Sequence, residues 1–308
     1  MRESESGPGP RGSKVPTILV AGVICLTLLS ACSQEMEDSR STGPGILDEA
    51  SLPVPEIAEA AALRDLGRHL EAAQLYQRIA QVEPENAAAR FGLAESLYEL
   101  GEYDSALKAY QTVEQEPEFA ARAFQGQGLI YLSRGDVVPA RSRLQAATMA
   151  DPLLWRAWNA LGRVHDISEE YAQAEEAYVR AMEIQPRSAL PVNNLGMSLI
   201  QQQRFQEAEG RFVQAIQLDP EFKPARANLR NALAWQGRYR EALFNVPEQD
   251  RPSTLNDVGY IAMLNGDFDI AEALFTRAID ESPSYNVQAA ENLRYLESLR
   301  QKDEPIVQ

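Results

Sequence analysis

Residues 153–186 read LLWRAWNALGRVHDISEEYAQAEEAYVRAMEIQP, and residues 187–220 read RSALPVNNLGMSLIQQQRFQEAEGRFVQAIQLDP. Laid one over the other they match where size matters: Leu161-Gly162 over Leu195-Gly196, Ala174 over Ala208, Tyr178 over Phe212 and Pro186 over Pro220, each pair 34 residues apart. Working outward, the Ala recurs at Ala72, Ala106, Ala140, Ala174, Ala208, Ala242 and Ala271, with five intervals of 34 and a last one of 29. Four residues beyond each lies a bulky apolar residue: Tyr76, Tyr110, Leu144, Tyr178, Phe212, Val246 and Phe275. Earlier in most units stands a small residue, Ala94, Gly128, Gly162, Gly196 or Gly259, and most units close on a Pro. One 34-residue unit is too short to bury an apolar face alone, so the period implies stacked helix pairs.

The spacing predicts that small residues let two antiparallel helices approach and that the aromatic fills the space towards the next unit. Gly101, Gly135, Gly237 and Gly266 are expected to end the first helix of their units, where a left-handed backbone is needed. Pro then stops the second helix. These residues resemble the tetratricopeptide repeat (TPR), and the resemblance implies an all-α solenoid of about seven repeats over residues 53–284. The expected boundaries are about 53–86, 87–120, 121–154, 155–188, 189–222, 223–251 and 252–284. The first repeat is degenerate, with Glu56 and Glu59 at apolar places, as suits a solvated cap. Residues 285–302 carry Ala289, Leu293, Leu296 and Leu299 on one helical face and are expected to close the array, with 303–308 a disordered tail.

The sixth repeat breaks the pattern. Arg230 replaces the small residue, and Pro247 is expected to interrupt the second helix after Val246, which accounts for the interval of 29. A tolerated deletion and a shaped joint that a partner recognises are both compatible with this.

Composition narrows the function. The chain of 308 residues is 44% hydrophobic and folds, but its net charge of −16 repels phosphate backbones. Nucleic acid is therefore not an expected partner. Two His (His69, His165) and two Cys (Cys25, Cys32) leave no material for His-rich metal sites or a disulfide framework, so no metal and no cofactor are expected. No nucleophile elbow, phosphate loop or metalloprotease motif occurs, and no enzyme is expected. His165 is read as a packing residue and His69 as solvated in a turn; Glu169, Glu170, Glu175 and Glu176 read as surface charges. By resemblance to TPR arrays, one face of each first helix lines a groove. That face would present Asn159, Arg163, Asn193, Asn194, Asn228, Asn231, Trp235, Asn256 and Tyr260. Asn both donates to and accepts from a peptide main chain, and Trp and Tyr are flat anchors. Asn is also ordinary in such helices.

The N-terminus carries Arg2, Arg11 and Lys14 ahead of the uncharged apolar run 15–31, which ends in Leu29-Ser30-Ala31-Cys32. This resembles a bacterial lipoprotein signal, residues 1–31, which implies that Cys32 is acylated and that 32–52 is a flexible tether. An uncleaved signal anchor is the alternative. Ser33 after the Cys leans, by the enteric rule, towards the outer membrane facing the periplasm. The stretches VNNLGMSL (192–199), ARANLRNALAWQGRYREAL (225–243), LNDVGYIAMLNGDFDIAEALF (255–275) and AAENLRYLESL (289–299) resemble the TadD-type lipoproteins of the tight adherence (Tad/Flp) pilus machinery. The resemblance implies a scaffold whose protein partner is a secretin or another pilus-assembly component. Type IV pilus pilotins of the TPR kind and a periplasmic adaptor for peptidoglycan enzymes are the alternatives. If Cys32 carries lipid, cells fed an alkyne fatty acid label the wild-type protein and not Cys32→Ser; equal labelling of both contradicts the anchor.

Overall fold

The computed structural model describes residues 57–282 and 286–303. The signal segment, Cys32 and the tether lie outside the described residues, as do 304–308. Every regular element among the described residues is helical. The order is α1 Ile57–Asp65, α2 His69–Val82, α3 Ala87–Glu99, α4 Tyr103–Gln111, α5 Ala120–Ser133, α6 Val137–Ala150, α7 Trp155–Ile167 and α8 Tyr171–Ile184. It continues with α9 Ala189–Gln201, α10 Phe205–Leu218, α11 Lys223–Trp235, α12 Tyr239–Ala242, α13 Arg251–Leu264, α14 Phe268–Asp280 and α15 Val287–Asp303. Seven pairs, each a helix A (odd) and a helix B (even), are thus followed by one closing helix. The described chain forms two compact units, 57–202 with 207–225, and 203–206 with 226–303.

The register Ala is the floor of every pair: all seven, from Ala72 to Ala271, have no exposed surface. The small residue of helix A seats a helix B side chain, and at Gly128 the Leu144 backbone nitrogen also comes within 3.2 Å of that space. A Cβ on Gly162 would stand 2.6 Å from the Tyr178 ring, one on Gly196 2.5 Å from Phe212, and one on Gly128 2.6 Å from Leu144. In each case the guest comes from helix B of the same repeat. Tyr76 and Tyr110 also press on Gly92 and Gly126, which belong to helix A of the following repeat. Helix B rings thus seat on a glycine of their own repeat at Gly162 and Gly196 and on one of the next repeat at Gly92 and Gly126.

The A-to-B turn needs one residue with positive φ. It recurs at Gly67, Gly101, Gly135, Glu169, Gln203, Gly237 and Gly266. Glu169 (φ 58°) and Gln203 (φ 60°) hold the glycine conformation with a side chain in place, at a cost of about 1–2 kcal/mol each. Register imposes this. The Glu170 amide still donates to the His165 carbonyl at 2.9 Å, as the Glu102 amide does to Leu97 after Gly101.

Helix B is irregular twice. In repeat 6, α12 stops at Ala242, five residues before Pro247, so the proline is not what ends it. The Phe244 amide bonds back to Glu241 at 3.1 Å, Asn245 turns left-handed (φ 51°), and Pro247 instead leads into a 3-10 turn, Glu248–Asp250. In repeat 2, α4 ends at Gln111, well before Pro117; Arg90 of α3 caps the Thr112 carbonyl and pairs with Glu116 at 2.9 Å. That shortening was not foreseen. In the second unit α15 places Ala289 (buried) and Leu296 (1% exposed) in the core with Leu293 and Leu299 against it, and it stays helical through Asp303, the first residue of the expected tail.

The first unit also buries a carboxylate. Asp166 of α7, 6% exposed, accepts from the Tyr178 hydroxyl of α8 at 2.7 Å and from Ser198 of α9 at 2.6 Å. Burial pushes its carboxyl from 3.8 up to about 6, against the pull of those two hydroxyls and of nearby His165 and Arg163. Because the folded value is the higher one, the stabilising proton is held fully below pH ~4, and its contribution is lost as pH rises through about 6. Urea midpoints of wild type and Asp166→Asn across that window should diverge by up to about 3 kcal/mol, the wild type losing ground as pH rises. Parallel pH profiles would contradict the buried charge.

Candidate functional site

A cavity of about 530 Å³ opens in the first unit. Helix A of three successive repeats contributes to it, α3, α5 and the start of α7. Each of these helices packs beside the next. Its wall includes Glu95 and Glu99 of α3, Gln125, Gly126 and Leu129 of α5, and Arg156 of α7. Gly126 has no side chain because Tyr110 already occupies that space.

The polar groups of the wall are held in place by their neighbours. Glu95 accepts from the Tyr110 hydroxyl at 2.9 Å and from Arg122 at 3.0 Å. Arg122 also lies 4.5 Å over the Phe91 ring. Burial first, then the Glu95 carboxylate, raises the Tyr110 pKa far above the ordinary phenol, so the ring is a permanent hydrogen-bond donor. Arg156 is exposed and stacks 4.8 Å over Trp155, and Leu153 at the rim is 67% exposed. An apolar rim, the exposed Arg122 and Arg156 guanidinium groups and the bonded Glu95 carboxylate can grip an extended peptide by both side chain and charge.

These positions share a register with the residues singled out in the sequence. Glu95 and Leu129 stand at the repeat position of Arg163, Asn231 and Tyr260; Gln125 matches Asn159 and Asn256; Gly126 matches Asn194 and Asn228; Glu99 matches Trp235. The cavity residues themselves escaped sequence reasoning, which followed the Asn-rich later repeats. The register would have found them.

Each expected groove residue has a definite place. In the first unit, Asn159 is 7% exposed and accepts from Asn194 Nδ2 at 2.9 Å, while Asn193 donates to Asn194 at 3.5 Å; Arg163 is half-buried. In the second unit, Asn228, Asn231 and Trp235 are half-buried on α11, and Trp235 stacks on Phe205 with centroids 5.4 Å apart. Asn256 is 3% exposed and accepts from Asn292 Nδ2 at 2.9 Å. The structure thus joins Asn159 to Asn194 and Asn256 to Asn292, so part of the Asn signal is helix-to-helix bonding. Asn292 was not anticipated. The Asp257 carboxyl accepts from Asn256 Nδ2 at 3.3 Å, and desolvation by the surrounding protein raises its pKa against that bond.

The histidines differ in part from expectation. His165 is buried as a packing residue, but its Nδ1 also lies 2.5 Å from Glu170, which Arg141 holds at 2.6 Å; Glu170 is therefore a bonded group and not a plain surface charge. His69 opens α2 and is half-buried, with Nδ1 out of reach of water. Among the described residues no group of three or more His, Cys, Asp or Glu is placed to hold a metal, and no helix is long and apolar enough to cross a membrane.

Tetratricopeptide repeat models match residues 63–128 and 199–244, and another matches 126–189. No curated protein matches the sequence. Among solved structures, the C-terminal part of a TPR repeat-containing protein from Cytophaga hutchinsonii is 19% identical with a TM-score of 0.56, covering 77% of this chain and 99% of its own. A tetratricopeptide repeat protein from Parabacteroides merdae is 17% identical with a TM-score of 0.56, covering 78% of this chain and 97% of its own. At such identity the likeness concerns the fold alone. With the helix pairs, the 34-residue register and the matches spanning 63–189 and 199–244, the chain belongs to the tetratricopeptide repeat family.

Proposed function

We propose that this chain is a non-enzymatic scaffold, lipid-anchored through Cys32, that captures a protein segment on the inner face of its repeats and supports Flp pilus assembly or placement of the secretin. The observation that carries the binding role is the cavity shared by α3, α5 and α7. The family is generally a protein-binding one, which supports the coarse reading. The pilus assignment is supported by the resemblance of residues 155–300 to TadD-type lipoproteins, and the shortened repeat 6 speaks against a pilotin of regular repeats. The anchor is supported by Leu29-Ser30-Ala31-Cys32 and would hold the array at the outer membrane, with residues 33–52 as tether.

The experiment uses residues at the mouth of the cavity. Arg156→Glu with Leu153→Ser reverses a charge and removes an apolar contact at two exposed positions, so the fold is left intact. Replacing Asn194 is less clean, because Asn159 would lose its donor. Cells carrying the double variant, or a deletion, should show less high-molecular-weight secretin multimer and few Flp pili while the secretin gene is transcribed normally. Normal multimer and piliation in the deletion strain would defeat the pilus reading and leave the peptidoglycan-enzyme adaptor ahead.

A further inference from the structure

Repeat 6 concentrates positive charge in an acidic protein. Across residues 223–251 it carries Lys223, Arg226, Arg230, Arg238, Arg240 and Arg251 against Glu241, Glu248 and Asp250, although the chain as a whole carries −16; of these, Arg238 already pairs with Glu241 at 2.7 Å. Arg230 stands where Gly128, Gly162, Gly196 and Gly259 seat a helix B side chain sixteen residues on, and its counterpart at that spacing is only Val246. No helix B ring reaches it, because α12 has ended at Ala242.

The electrostatics of this position are unfavourable as they stand. Burial lowers the Arg230 pKa, Arg226 adds like-charge repulsion, and Asp250 is the one opposing charge acting on it. Among the described residues the guanidinium makes no hydrogen bond or ion pair, and none of its nitrogens is sealed from water. A partly desolvated cation without a protein acceptor is held by water alone, and a carboxylate placed on it in bidentate geometry offsets the desolvation. Two residues before Val246 and four after the exposed Arg240, Phe244 is 80% exposed in the turn that follows α12.

We propose that repeat 6 is a second protein-binding surface, which takes an acidic segment of a partner: a Glu or Asp carboxylate on Arg230 and an apolar side chain on Phe244. The guanidinium sets the charge of the ligand, and the bare ring sets its class, because neither a nucleic-acid backbone nor a free anion supplies an apolar group. The net charge of −16 also opposes a polyphosphate. This surface is separate from the inner-face cavity in residues and in chemistry, and it gives a role to the repeat that departs most from the pattern.

The test is fluorescence anisotropy of the purified protein with a fluorescein-labelled peptide ELLEELLEELLE, with KLLKKLLKKLLK as the charge-reversed control. Wild type should bind the acidic peptide and not the basic one, with affinity falling as salt rises. Arg230→Gly puts in the residue that four of the other repeats carry; with an unaltered circular dichroism spectrum it should weaken binding at least tenfold, as should Phe244→Ser. Arg156→Glu, at the inner-face cavity, should leave it unchanged, which separates failure of this surface from failure of the inner-face reading. The proposal is overturned if wild type does not bind, if Arg230→Gly binds equally well with an unaltered circular dichroism spectrum, or if a twelve-nucleotide single strand displaces the peptide.

Discussion

The array depends on the seating of a helix B side chain against a helix A residue too small to resist it. Tyr178 over Gly162, Phe212 over Gly196 and Phe275 over Gly259 are the same contact, repeated because the sequence repeats. It is a short-range fit, so it tolerates substitution on either side only when the other side gives way. Tyr76 and Tyr110 extend it to the next repeat through Gly92 and Gly126, which turns independent helix pairs into a cooperative stack.

Two costs are accepted to keep that register. Glu169 and Gln203 hold a backbone conformation that suits glycine, since the turn must reverse the chain at a fixed distance from the seated ring. Asp166 is buried and is tolerated because Tyr178 and Ser198 both donate to it. Tyr178 thus serves twice, its ring against Gly162 and its hydroxyl on Asp166.

Much of this was legible in the sequence because packing in a repeat is local. The buried Ala series and the closing helix with Ala289 and Leu296 followed from spacing, and the helix pairs from the resemblance that this spacing carries. Where α12 stops did not, because helix length there is decided by the Asn245 turn and not by Pro247. Nor was the shortened α4 foreseen, whose end is held by Arg90 from a different helix. The candidate site was half legible. Register identified the face, yet type-based reasoning weighted Asn, and two of those Asn, Asn159 and Asn256, proved buried in bonds to other Asn. The cavity of Glu95, Leu129 and Arg156 was missed because its residues share a position and not a chemistry.

The inner cavity and the basic sixth repeat both exist only if the ring-on-small-residue contact sets the spacing of the helices. A double-mutant cycle on Gly196→Ala and Phe212→Leu measures that contact most directly. A new Cβ at 196 would meet the ring at 2.5 Å, whereas a smaller guest leaves it room. The two changes should therefore be far from additive, the double variant being more stable than the summed single losses by about 1 kcal/mol or more. Additive losses would mean that the glycine and the ring do not bear on one another, and the register built on them would fall.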